Sequence, residues 1–173
     1  LALSTVVKNF LDGTITAKDG TTPTALERVL AFDRGDFSIS GLSPKLNEVA
    51  AYERRGKLQS VRHTTRRYWT ISGTMFFTQW SDTAAGSFFD LVFGTSGTPY
   101  AARVSTLDNS DVDTLQYTFD IEGSDFNDDQ DHQLILNDVH LVFSVAEGDP
   151  TVVSFEGTGY GTVAGDLAAA EVS

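Results

Sequence analysis

Apolar and polar residues alternate one by one over several stretches of this chain, the pattern of antiparallel strands with one buried face. The cleanest run is Asp113 to Glu122. Leu115, Tyr117, Phe119 and Ile121 fall on one side, and Thr114, Gln116, Thr118, Asp120 and Glu122 on the other. A shorter run begins at Asp36, with Phe37 and Ile39 set against Asp36, Ser38 and Ser40. Tyr68 to Thr78 sets Trp69, Ile71, Met75 and Phe77 against Thr70, Ser72 and Thr74. From Gln133 to Val145 the apolar parity of Ile135, Val139, Leu141, Phe143 and Val145 is broken by Leu134 and Leu136, which predicts a bulge near Asn137 and Asp138. A last strand is expected over Thr151 to Glu156, after the turn Glu147-Gly148-Asp149-Pro150. Gly157-Thr158-Gly159-Tyr160-Gly161 then leads into a tail of small residues.

One helix interrupts the strands. Asp82 to Phe93 brings Phe88, Leu91 and Val92 to one face, with Ser81 or Asp82 as N-cap and Gly94 at the left-handed position after its end. Gly86 sits inside that span and weakens it. Residues 42–67 are polar, basic and weakly periodic. A loop of that length inside a compact domain needs a task of its own. It is expected to protrude as an arm, or as a hairpin with Val49 to Tyr52 and Leu58 to Val61 as pieces of its strands. The fold class implied is mainly β: an antiparallel β-sandwich or barrel-like domain with one flanking α-helix and a long protruding loop or hairpin. Its organisation is an N-terminal arm with the first strand or strands over 1–35, the β domain over 36–161 and a tail over 162–173.

Composition narrows the function. The 173 residues suffice for one domain, and 12 Phe and 5 Tyr provide bulky core material. With no cysteine, neither a disulfide framework nor a thiolate metal site can form. No apolar run approaches the roughly 18 residues that a membrane-spanning helix needs, and no stretch resembles a secretory signal. The net charge of −12 opposes ordinary nucleic-acid binding, which requires a basic footprint. All twelve Lys and Arg lie at or before Arg103, whereas the residues after it hold fifteen acids and no base. Seven of the bases (Lys45, Arg54, Arg55, Lys57, Arg62, Arg66 and Arg67) fall between positions 45 and 67. A chain so polarised in charge is suited to head-to-tail contacts between copies, which generate rings or filaments.

Phe37-Ser38-Ile39-Ser40-Gly41-Leu42, followed by Leu46-Asn47-Glu48-Val49 and Tyr52-Glu53-Arg54-Arg55-Gly56-Lys57, resembles the major tail proteins of long-tailed bacteriophages. Thr118-Phe119-Asp120-Ile121-Glu122-Gly123, Leu136-Asn137-Asp138 and Glu147-Gly148-Asp149-Pro150 extend the resemblance in the same order, from about Asp36 to Gly161. The resemblance implies a β-sandwich flanked by a helix, six-fold rings stacked into a tail tube, and a long loop reaching the adjacent ring. The partners would be copies of the chain and other phage tail proteins, with genome DNA passing through without specific binding. Such a protein resides in the virion, after synthesis in the host bacterial cytoplasm.

Two groups of residues acquire expected roles from this resemblance. Asp36, Ser38, Ser40, Thr118, Asp120 and Glu122 become lumen candidates, since an acidic or polar wall repels phosphate over roughly 8 Å at physiological salt. Lys45, Arg54, Arg55, Lys57, Arg62, Arg66 and Arg67 become the inter-ring contact, meeting acids of the next ring. One such pair at a surface contributes only about 0–1 kcal/mol, but a ring repeats it.

Catalytic and metal chemistry find little support in the residues. Asp125 to Asp131 alternates oxygen-bearing side chains as a calcium loop does, yet Gln130 replaces the turn glycine and Leu136 the bidentate glutamate. His132 and His140, eight apart on a strand, would share a face while standing too far apart to share a metal. The glycine-rich stretch from Gly157 lacks the lysine and following helix of a phosphate-binding loop. No active site, metal or cofactor is expected. Two alternatives stay open: a capsid-decorating or other tail-associated virion protein, and a carbohydrate-binding β-sandwich with Tyr68, Trp69, Trp80 and Tyr100 as stacking platforms.

Overall fold

The computed structural model describes residues 13–30, 34–43, 47–107, 111–121 and 132–165. Ten strands and one helix lie within them: β1 Gly13–Lys18, β2 Glu27–Val29, β3 Ser38–Ser40, β4 Asn47–Arg54, β5 Lys57–Arg66, β6 Trp69–Phe76, α1 Phe88–Phe93, β7 Leu115–Ile121, β8 His132–Ala146, β9 Val152–Gly159 and β10 Val163–Gly165. Eight of the strands form one antiparallel sheet in the order β2-β1-β7-β8-β9-β6-β3, with β10 also paired to β8. The sheet is open, ending in β2 and β3. β4 and β5 pair only with each other. Within the first 35 residues β1 and β2 are strands, and β1 lies in register with β7 over six residue pairs; β10 brings residues 163–165 into the sheet.

Strand alternation places the core. Trp69, Ile71 and Met75 of β6, Leu115, Tyr117 and Phe119 of β7, and Val153 and Phe155 of β9 are all buried. In a flat sheet β3 and β7 would be four strand spacings apart, on the order of 19 Å. Yet the Phe37 ring, just before β3, lies 4.3 Å from that of Phe119 and 6.1 Å from that of Phe155. The sheet therefore curls until its two wings, β2-β1-β7 and β9-β6-β3, face each other across one apolar interior. This is a sandwich made from one continuous sheet.

The curl centres on β8, where the expected bulge forms. Leu115 pairs with Val139 while Tyr117 pairs with Leu136, so β8 carries one residue more than β7. Asp138 takes up the excess at φ 54°. Inward parity consequently changes within the strand: Leu134 and Leu136 are buried before the bulge, Val139 and Leu141 after it. Ile135, expected on the core side, lies on the other face and is half-buried. The Tyr160 N–H donates to the Asp138 carbonyl at 2.9 Å, and the Asn137 N–H to that of Thr162 at 3.1 Å, so the chain after β9 clamps the bulge.

That same segment holds Trp69. Its indole N–H donates to the Gly161 carbonyl at 3.1 Å, and a Cβ at Gly159 would lie 2.1 Å from the indole ring. Gly157 and Gly159, expected to lead out of the fold, instead continue β9, and Gly159 makes room for the largest core side chain.

The helix is shorter than its pattern implied. It begins at Phe88, not Asp82. Ser87 caps it: its hydroxyl accepts the Asp90 N–H at 3.1 Å, and the Asp90 carboxylate accepts the Ser87 N–H at 2.8 Å. Upstream, the Asp82 carboxylate accepts the N–H groups of Ala84 and Ala85, closing a turn. Gly86 then takes φ +72°, outside helical space, and ends the turn before the helix starts. Phe89 and Leu91 of α1 are buried with the core.

Candidate assembly interface

β4 and β5 form a hairpin of local origin. Arg54 faces Lys57 across a two-residue turn in which Arg55 and Gly56 have φ of 52° and 73°. Two positive φ angles at such a turn match the right-handed twist of the strands. Val49 and Val61 lie on one side of the ribbon, Tyr52 and Arg62 on the other. Neither side is covered: Val49 and Leu58 are 60 % exposed, Val61 56 % and Tyr52 51 %. An isolated two-stranded hairpin is marginally stable in water, and exposed apolar residues on both sides do not improve it.

The expected basic cluster sits on this hairpin. Arg54, Arg55, Lys57 and Arg62 are exposed, as is Arg67 just after β5. Arg66 stands in register with Asn47 near the hairpin's base. Lys45 lies outside the described residues. The ion pairs among the described residues are Lys18–Glu27 and Arg103–Asp113, so none engages Arg54, Arg55, Lys57, Arg62 or Arg67.

The described lumen candidates occupy non-core parity, yet they do not form one wall. Ser38 and Ser40 are exposed on β3, and Asp36 just before it is exposed as well. The Asp36 carboxylate accepts the Thr74 N–H at 2.8 Å and the Thr74 hydroxyl at 2.5 Å. Partial burial, which would raise its pKa, is outweighed by these bonds and by Arg34, and the carboxyl is held below its ordinary range. Asp120 and Thr118 belong to the facing wing. Because the wings meet through their apolar faces, their polar faces point apart, and one channel wall cannot take both groups from one subunit. Thr118 departs further from expectation: beside Thr16 and Ile135 in register, it is 4 % exposed. Asp120 is half-buried and accepts the Gln133 amide at 2.6 Å. Glu122 lies outside the described residues.

The wing that carries Ser38 and Ser40 is the more coherent surface. Pairing sets Ser38 beside Ser72, and Ser72 beside Glu156; Ser40 lies beside Thr70, and Thr70 beside Thr158. Thr74 and Ser154 continue the row. This outer face is rich in hydroxyls, and β3, β6 and β9 contain no Lys or Arg; its charges are the carboxylates of Asp36 and Glu156 and, at its edge, the Arg34 guanidinium, which lies 5.5 Å from the ring of outward-facing Phe76. The β9 contribution was missed because that strand was expected to end at Glu156, whereas the alternation of Ser154, Glu156 and Thr158 was there to be read. The exposed hairpin apolars were visible as the short pieces Val49 to Tyr52 and Leu58 to Val61, which lack a regular period and are overshadowed by the charges beside them.

Other expected sites fare differently. Trp69 is fully buried and Tyr100 is 6 % exposed, so neither can serve as a stacking platform for a sugar. Trp80 is 51 % exposed but packs its ring on Phe77 and Phe89, at 4.7 and 4.8 Å. Tyr68 lies edge-on to Tyr160 at 5.1 Å. The bulge places His132 and His140 on opposite faces of β8 rather than on one. Asp125 to Asp131 lies outside the described residues. No described helix is long and apolar enough to cross a membrane. Comparison of the chain with protein-family models gives no match, and neither does comparison with curated proteins.

Proposed function

We propose that this chain is a structural subunit of a bacteriophage tail tube, assembling with copies of itself into stacked six-fold rings around a channel for the genome. The observation that carries the reading is the β4–β5 hairpin. Among the described residues it pairs with no other strand, exposes apolar residues on both sides and bears Arg54, Arg55, Lys57 and Arg62 without ion-pair partners. A surface of that kind gains most of its stability from a partner, and a copy rich in acids is a fitting one.

Two further features support it. The sheet ends in three-residue edges, β2 and β3, whose unpaired backbone groups would be satisfied by a neighbouring copy in a closed ring. The hydroxyl-rich outer face of β3-β6-β9, where the Arg34 guanidinium over Phe76 is offset by the nearby Asp36 carboxylate, suits a wall past which DNA slides. Of the expected lumen residues, Asp36, Ser38 and Ser40 keep that role, joined by Thr70, Ser72, Glu156 and Thr158. Localisation in the virion, contact with other tail proteins and the absence of an enzymatic reaction belong to the same proposal.

Negative-stain electron microscopy over a concentration series, at low and moderate salt, tests it. Hollow rings or tubes with an axial repeat are the expected result. Monodisperse monomers or trimers at every concentration would overturn the tube in favour of a decoration protein.

A further inference from the structure

A cleft of about 200 Å³ opens between the end of α1 and strands β7 and β8, lined by Val92, Phe93, Arg103, Tyr117, His140 and Leu141 among others. Its polar groups are unusual. The Arg103 side chain is 7 % exposed and gives one bond, from Nη2 to Asp113 Oδ2 at 2.9 Å, while its Nε is buried without a partner. Tyr117 is 3 % exposed, and its hydroxyl is likewise buried without a partner. Burial pushes the Tyr117 pKa far above its ordinary value, against the opposing effect of the Arg103 charge, so the hydroxyl stays protonated and able to donate. Buried donors without acceptors are rare in folded proteins because each loses its hydration for nothing. Here two line one cleft.

We propose that this cleft binds a carboxylate carried on a short apolar stem. The Nε–Nη2 side of a guanidinium accepts a carboxylate through two parallel bonds, and Asp113 uses only one of them. Asp113 is 70 % exposed and holds Arg103 from the solvent side, where such a pair is readily exchanged. Tyr117 adds a third donor. Val92 and Leu141 provide apolar walls, and Phe93, 63 % exposed, forms the rim. The volume suits a single small group, since a cavity of about 150 Å³ accommodates benzene. The same chemistry is offered by a free small carboxylic acid and by an Asp or Glu side chain of a second copy. The inference does not depend on the tail-tube reading.

Benzoate titrated into the labelled full chain, with amide shifts followed by NMR and benzyl alcohol as the uncharged control, tests the site. Saturable shifts at Phe93, Arg103 and Tyr117 with benzoate but not with benzyl alcohol are expected. Tyr117→Phe should weaken benzoate about tenfold while leaving the thermal midpoint unchanged or higher, because an unpaired buried hydroxyl is removed. Asp113→Ala, at an exposed position, should tighten benzoate by freeing the guanidinium edge. No shift, an equal response to benzyl alcohol, or affinities indifferent to both substitutions would overturn the proposal and leave the donors to bound water. Sedimentation with saturating benzoate then separates the sources. Delayed self-association identifies the carboxylate of a second copy, and unaltered self-association identifies a free acid.

Discussion

The hairpin and the sheet body are built from similar strand-forming residues and reach opposite ends of the burial scale. In β6, alternate residues are sealed against β9, and Trp69 has no exposed surface at all. In β4 and β5, Val49 and Val61 lie on one side and Tyr52 on the other, and these residues and Leu58 remain more than half exposed. A strand therefore forms without its apolar side chains finding a cover among the described residues. The body is stabilised by contacts distant in sequence, such as Trp69 to Gly161; the hairpin, by its turn and its own ladder. One element is a folding unit; the other, in the function proposed above, is a docking device.

Substitutions can break that contrast where it is strongest. Trp69→Ala should cost the body about 4 kcal/mol, the usual range for deleting a buried tryptophan, read by chemical denaturation; a cost below about 1 kcal/mol would mean Trp69 is not the centre of the core. Asp90 comes next. It is fully buried and its carboxylate accepts the N–H groups of Asp82 and Ser87, both at 2.8 Å. Burial alone would raise its pKa, but these bonds outweigh it and hold the carboxyl well below the ordinary range. Stability from a depressed carboxyl is fully present above its unfolded pKa of about 3.9 and is lost as pH falls toward the folded value. The thermal midpoint should drop with acid over that window, and Asp90→Ala should lower stability by about 2 kcal/mol at neutral pH and flatten the acid slope.

The hairpin should respond in the opposite sense. Gly56→Val, at φ +73°, should cost about 1 kcal/mol locally. Amide exchange should accelerate over residues 47–66, while the denaturation midpoint of the body stays within its error. Loss of the body transition would show that the two regions fold as one. Smallest of all in stability is Arg54→Glu with Arg55→Glu, expected within about 0.5 kcal/mol of the parent in dilute solution. Yet the pair should raise the concentration needed for assembly at least tenfold, and more at low salt than at high salt. Unchanged assembly would remove the basic hairpin from the interface.

Much of the architecture was legible because its cause is local. The strands around Ser38, Trp69, Phe119 and Leu141 follow from a period of two, and the bulge at Asn137 and Asp138 from a break in that period. The helix was misjudged at its start, because a turn held by Asp82 and ended by Gly86 resembles a first helical turn in composition. Outward parity of Ser38, Ser40 and Asp120 was readable too. What could not be read was the curl of the sheet, which turns those residues away from one another, or the burial of Thr118 on a face expected to be polar and open.

The sequence alone determines where strands run, which residues share a face, that a basic segment stands apart and that acid without base dominates after Arg103. These depend on neighbours a few residues away and on a count of charges. Tertiary structure alone decides which wings face each other, that Gly159 leaves room for Trp69 while the Gly161 carbonyl accepts its indole N–H, and that Arg103 and Tyr117 line one cleft. Those depend on pairings tens of residues apart, such as Trp69 with Gly159 and Tyr117 with Leu136. Each is set by how the whole sheet twists and closes over its core, which no local period encodes.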